Sequence, residues 1–222
     1  MSQVNIETAR FNMIEQQIRP WDVLDQTTLD TVALVRREAF VPQAYRNLAF
    51  MDMEIPLNVN GQMTGESMFA PKMEARLLQE MAPRPADQAL EIGAGSGYMA
   101  ALLAHRAQSV VTYERLPVLA EFARTNLANN HCANVKVVTG DGFTAKGTFQ
   151  VIALSGAVAS LPRDVLELLA IGGRLTAVVG AAPVMSAVLV TRISDTQFDT
   201  VNLFETLVKP LVGGPQAEKF RF

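Results

Sequence analysis

Three short clusters are spaced for chemistry. The first is Leu90-Glu91-Ile92-Gly93-Ala94-Gly95-Ser96-Gly97-Tyr98, an apolar run that enters a glycine-rich turn and leaves it as a helical pattern. Glycines let the backbone turn tightly and let a ligand approach the main chain, and a helix N-terminus offers free N–H groups. The spacing is G-x-G-x-G, one residue shorter than the G-x-G-x-x-G of a dinucleotide turn, which argues against a nicotinamide oxidoreductase. The second cluster is Tyr113-Glu114-Arg115, at the end of the next apolar run. A carboxylate there can accept from both hydroxyls of a ribose. The third is Gly140-Asp141-Gly142, where two glycines flank one carboxylate. The same tripeptide is also an ordinary Asp-Gly turn.

These clusters need elements to hold them. From Pro71 onward the pattern alternates. A helix runs from Pro71 with Met73, Leu77, Leu78 and Met81 on one face. Strands are expected at 88–92, 109–113, 135–139, 151–154 and 175–179, with helices at 98–106, 117–128 and 162–171, the last stopped by Gly172-Gly173. Nearly continuous apolar strands alternating with helices predict a doubly wound, mostly parallel sheet. Runs at 187–193 and 201–208 predict an antiparallel C-terminal hairpin, giving seven strands. All three clusters then fall at the carboxyl ends of successive strands, where open α/β sheets bind ligands.

The first seventy residues read differently. A helix over 5–18 is ended by Arg19-Pro20, and a second starts near Asp25 or Thr27. Residues 40–70 carry prolines, Asn58, Asn60, Gly61, Gly65 and four methionines (Met51, Met53, Met63, Met68), and predict a long irregular lid or binding loop. The expected division is 1–70 as helical extension and acceptor loop, 71–213 as the ligand-binding domain, and 214–222 as a tail.

Composition sets limits. The chain has 222 residues, 49% of them hydrophobic and 18% charged, with a net charge of −3. That charge argues against a nucleic-acid partner. One cysteine, Cys132, excludes an internal disulfide, and with His105 and His131 it leaves no zinc cluster and no expected metal site. No stretch reaches eighteen uninterrupted apolar residues, so no membrane span is expected. The reading is a protein of a reducing compartment, the cytoplasm.

The glycine turn, with Glu91 before it, resembles the cofactor turn of class I methyltransferases, which use S-adenosylmethionine. The resemblance narrows with Val35-Arg36-Arg37-Glu38-Ala39-Phe40-Val41-Pro42, Ala49–Asp52, Ile55-Pro56-Leu57, Ala70-Pro71, Asn134-Val135, Leu161-Pro162 and Gly172-Gly173-Arg174-Leu175. In this order, over residues 12–213, the chain resembles the protein-L-isoaspartate O-methyltransferase family. That implies a Rossmann-like methyltransferase sheet and repair of aged proteins by methylating isoaspartyl carboxylates. It implies cofactor contacts from Glu91, Gly93, Ala94, Gly95, Gly97 and Tyr98 in the turn. Glu114 and Arg115 would lie at the ribose, and Asp141 and Gly142 at the adenine.

One departure stands out. The family loop reads roughly G-Q-T-I-S-x-P. Counted back from Pro71, Phe69 takes the serine position; anchored on Gly61-Gln62, about four residues are left over. Ser67, Thr64 and Phe69 are the candidate acceptor-side residues, with Met63 and Met68 as an apolar wall. The acceptor is then an isoaspartyl protein or peptide, or a small molecule, and a non-catalytic cofactor-binding module is the third reading. The sequence leaves the oligomeric state open.

Overall fold

The computed structural model describes residues 3–215. Helix α1 (Gln3–Met13) runs on through one wide π-turn, Ile14–Ile18, and a tight 3-10 turn, Arg19–Trp21, that contains Pro20. The wide turn buries Ile14 and Ile18 together. Helix α2 (Gln26–Leu34) is capped by Asp25, whose carboxylate accepts from the Thr28 N–H at 2.7 Å. Residues 37–70 are two 3-10 turns, Arg37–Ala39 and Gln43–Leu48, followed by a small antiparallel pair, β1 (Ile55–Pro56) with β2 (Ser67–Met68). The segment expected to be irregular is thus a hairpin that carries residues 57–66 out and back.

Helix α3 (Pro71–Met81) starts on proline and buries Met73, Leu77, Leu78 and Met81. The alternating part follows as β3 (Gln88–Ile92), α4 (Tyr98–Ala104), β4 (Ser109–Glu114), α5 (Pro117–Asn129), β5 (Val135–Thr139) and β6 (Phe149–Val158). It closes with α6 (Arg163–Leu166), β7 (Leu169–Ala181), β8 (Val184–Arg192) and β9 (Phe198–Glu205). The last seven strands form one sheet in the order β5-β4-β3-β6-β7-β8-β9. Pairs from β5 to β7 are parallel, and β8 and β9 are antiparallel. The expected α/β fold and C-terminal hairpin are present. The hairpin is a meander that extends one edge.

Burial on both faces explains the apolar strands. Along β6, Val151 and Ala153 enter one core, and Ile152 and Leu154 enter the other. The larger core also takes α3, α4, α5 and the first seventy residues.

The expected helix over 162–171 is corrected. Only Arg163–Leu166 is helical, and β7 already begins at Leu169. The backbone of Leu168 accepts from the Phe149 N–H, and Arg192 Nη1 donates to the Glu167 and Leu169 carbonyls. Sheet pairing takes those residues from the helix. Gly172-Gly173 does not stop a helix; it lies within β7, at the register shift against β6. Residues 216–222 of the expected tail lie outside the described residues.

Candidate active site

After β3 the chain builds β4 and β5 on one side of it and then crosses to β6 on the other. That crossing leaves a crevice at the carboxyl ends of the strands. The crevice is a cleft of about 200 Å³ walled by Gly93 and Gly95 after β3, Glu114 and Arg115 after β4, and Asp141 and Gly142 after β5. Three clusters distant in sequence therefore face one space.

The glycine turn owes its shape to backbone conformations that other residues avoid. Gly93, Gly95 and Gly97 have φ of 97°, 52° and 83°. The Gly93 and Ala94 N–H groups donate to the Tyr113 carbonyl, at 2.9 and 3.0 Å. The Gly95 N–H donates to Glu114 Oε2 at 2.9 Å, and the Leu116 N–H to Oε1 at 2.9 Å. Glu114 thus joins the turn to β4. A carboxylate offers about four lone pairs, so acceptor capacity remains for a ligand. Asp141 Oδ1 accepts from the Phe143 N–H at 3.0 Å and caps the short turn Gly142–Thr144.

Behind the glycine turn lies a cavity of about 30 Å³. Leu57, Ser67, Gly93, Gly95 and Ser155 line both spaces, so the two adjoin there. Glu91, Ala94, Tyr98, Met68 and Phe69 wall the cavity but not the cleft. Glu91 accepts from the Thr112 hydroxyl at 2.6 Å and the Ser155 hydroxyl at 2.9 Å. Burial pushes its carboxyl up to about 8, and the two hydroxyl bonds oppose this. Glu74, also at the cavity, is raised to about 7 by burial against the pull of Arg37. Burial also raises the Tyr98 phenol.

Not all of the remaining named residues reach the cleft or the cavity. Gly97 walls neither space; a Cβ there would stand 3.2 Å from Leu127 of α5, so it permits close helix packing. Thr64 donates to the Leu57 carbonyl at 2.7 Å and accepts from the Glu66 N–H at 3.1 Å, which ties the hairpin together outside both spaces. Met63 stands 84% exposed, and only Met68 of that pair reaches the cavity. Ser67 lines both spaces, and its Oγ donates to Glu54 Oε2 at 2.6 Å.

The structure adds residues that the sequence reading passed over. Ser155 stands where the apolar run 151–154 ends, so the strand-end rule that found Glu114 also finds it. Leu211 lies on a strap, residues 209–211, that pairs with Ala157 and brings its side chain to Gly93. No periodic signal marks that strap. Lys209 Nζ reaches across the mouth to the Gly65 carbonyl at 3.0 Å and Glu66 Oε1 at 2.6 Å.

Comparison with known proteins agrees with this geometry. A family model of protein-L-isoaspartate(D-aspartate) O-methyltransferases matches residues 9–216. The protein-L-isoaspartate O-methyltransferase of Aeropyrum pernix is 34% identical over 214 residues, covering 92% of this chain and 80% of that protein. Its counterpart in Herpetosiphon aurantiacus is 37% identical over 176 residues, covering 78% and 76%. A crystal structure of a Plasmodium falciparum beta-aspartate methyltransferase in complex with S-adenosyl-L-homocysteine shares the fold, with a TM-score of 0.75 at 19% identity, covering 92% of this chain and 97% of that one. The match spans the extension, the hairpin and the sheet together: this chain belongs to the protein-L-isoaspartate O-methyltransferase family.

Proposed function

We propose that the chain is an S-adenosylmethionine-dependent O-methyltransferase that esterifies the carboxylate of isoaspartyl residues in aged proteins and peptides. The observation that carries this reading is the convergence of the glycine turn, Glu114 and Asp141 on one cleft that Ser67 also walls. The cleft suits the cofactor. A Cβ at Gly93 would come 3.0 Å from Leu211 and 3.3 Å from the Ser155 carbonyl, so glycine lets the strap and β6 close on the turn, while Glu114 keeps acceptor capacity toward the cleft. Gly93 and Gly95 would hold the amino-acid part, Glu114 the ribose with Arg115 at its rim, and Asp141 with Gly142 the adenine. Ala94, Glu91 and Tyr98 would support the turn from the cavity side.

When bound, S-adenosylmethionine supplies an electrophilic methyl group on a sulfonium. The free carboxylate of an isoaspartyl residue is an α-carboxyl, with an ordinary pKa of about 3.3–3.7, and is already ionised at neutral pH, so no general base is needed. What the chain contributes is orientation and exclusion of water. Leu57 and Leu211 wall the cleft with apolar surface, and Met68 and Phe69 do so behind it. Ser67 offers the hydroxyl nearest the place where the family loop has its serine.

The test is methyl transfer from labelled cofactor to an isoaspartyl peptide, against the same peptide with normal aspartate. Transfer to the isoaspartyl form alone is expected; equal or absent transfer would overturn the assignment. One observation favours a second acceptor, a small molecule or another protein group. Phe69, at the serine register, is a buried apolar residue at the cavity wall. Turnover on a metabolite pool with none on peptides would favour that reading. Cytoplasmic location is proposed on the free thiol of Cys132. No helix among the described residues is long and apolar enough to cross a membrane.

A further inference from the structure

Arg37 is fully buried, and the chemistry above gives it no task. Its guanidinium holds four separate segments. Nε donates to the Ala49 carbonyl at 3.1 Å, just after the turn Gln43–Leu48. Nη1 pairs with the Glu74 carboxylate of α3. Nη2 donates to the Phe69 carbonyl at 2.6 Å, behind β2. Cζ stands 5.2 Å from the centroid of the Tyr98 ring, and Tyr98 is the first residue of α4 after the glycine turn. Phe69, Glu74 and Tyr98 all wall the cavity behind the cleft.

Packing alone does not call for this group. Burying an ion pair is costly, and apolar residues of the same volume are often as stable. A guanidinium differs from an apolar filler, and from lysine, in its rigid fork of donors with fixed directions. Such a fork suits the task of holding several backbones at set distances.

We propose that Arg37 is a positioning residue. Through the Phe69 carbonyl and the Tyr98 ring it fixes the acceptor loop against the glycine turn, so that acceptor and methyl donor meet in one geometry. This rests on the proposed methyl transfer. An Arg37→Lys variant keeps the charge and loses the fork.

The experiment compares wild type, Arg37→Lys and Glu74→Gln, reading kcat and KM on the isoaspartyl peptide, Kd for S-adenosylhomocysteine by calorimetry, and amide exchange. For Arg37→Lys, kcat should fall by about 10- to 100-fold, the scale of an ångström-sized misplacement. Its Kd should stay within about threefold, because the loss falls on the reacting geometry rather than on uniform binding. Exchange should quicken over residues 64–70 and not over 88–92. An unchanged kcat in folded Arg37→Lys would overturn the proposal. So would losses of kcat and of cofactor affinity in step, with faster exchange in β3, because that is general destabilisation. If Arg37→Lys does not fold, Glu74→Gln decides by the same split between kcat and Kd. If wild type fails to methylate the peptide, the functional reading falls, and the exchange pattern alone decides the positioning role.

Discussion

Glu91 and Glu114 lie at the ends of neighbouring strands, yet their surroundings give them different work. Glu114 is held by two backbone N–H groups and keeps acceptor capacity toward the cleft. Glutamine there would set an amide N–H₂ against one of those N–H groups and remove the charge proposed to meet a ribose. Hydrogen bonds to charged groups are each worth about 1.5–3 kcal/mol. Glu114→Gln should therefore weaken S-adenosylhomocysteine binding by about 10- to 100-fold, as calorimetry would show; an unchanged Kd would remove Glu114 from the ribose role. Glu91 is buried with two hydroxyls, and its carboxyl is raised to about 8 from the usual 4.5. Between those values the folded chain holds a proton that the unfolded chain has lost. The stability from that proton is complete below about pH 4.5 and is lost as pH rises through about 8, with a slope on the order of 1 kcal/mol per pH unit. Urea midpoints of the ligand-free protein from pH 5 to 8 should fall with pH, and in Glu91→Gln they should fall less steeply. Equal slopes would show that burial of Glu91 does not set its protonation. Glu114 was legible in the sequence because a strand end followed a glycine turn. The Arg37–Glu74 pair was not. It joins residues 37 apart, and no local pattern links Arg37 to a carboxylate on α3.

At the scale of elements, periodicity was enough wherever a strand or helix followed its own pattern. The strands before and after the glycine turn are where apolar runs predicted them, and Asp25 caps α2 as its type suggests. The reading failed where a neighbour overrode local preference. Residues 167–171 alternate poorly and look helical, but the chain turns at 167–168, and pairing with β6 and the grip of Arg192 make strand from Leu169 on. Likewise β1 and β2 are too short for any period to show, and their pairing comes from tertiary context. The turn after β5 gives an element-level test. A Cβ on Gly142 would lie 2.6 Å from Cγ2 of Ile92 and 3.0 Å from Cβ of Tyr113. Ile92 is a strand residue with a stiff χ1, so it has little room to yield. Gly142→Ala should cost about 1–3 kcal/mol by overpacking, lowering Tm by about 3–10 °C. It should also loosen cofactor binding, because Gly142 and Asp141 share the turn that walls the cleft. An unchanged thermal midpoint would show that the turn shifts freely.

At the scale of the molecule, the division proposed near residue 70 does not separate cores. Ile18, Val23, Phe40, Ile55 and Leu57 from the first seventy residues share a cluster with Leu77, Tyr98 and Leu127 from the rest. Polar contacts cross the same boundary. Gln79 Oε1 accepts from the Leu24 and Asp25 N–H groups at 2.8 and 3.0 Å, and its amide donates to the Asp22 carbonyl at 2.9 Å. Asn126 of α5 donates to the Ser96 carbonyl at 2.9 Å and to the Phe40 carbonyl at 3.4 Å. Trp21 packs on Phe204 of the edge strand β9, with ring centroids 4.7 Å apart, and Lys72 Nζ lies 4.8 Å from the Trp21 ring centroid. Removing the extension would expose the apolar face of α3 and leave the buried side of the glycine turn without Phe40 and Leu57. One cooperative unit is therefore expected. Trp21 is the single tryptophan, so its fluorescence reports the extension, while far-ultraviolet circular dichroism is dominated by the sheet and helices beyond residue 70. The two urea transitions should coincide in midpoint and slope, and residues 71–222 expressed alone should show no cooperative transition. Separate transitions, with fluorescence changing first, would make the extension an independently folding cap and would place the coupling between acceptor loop and cofactor cleft in a movable interface.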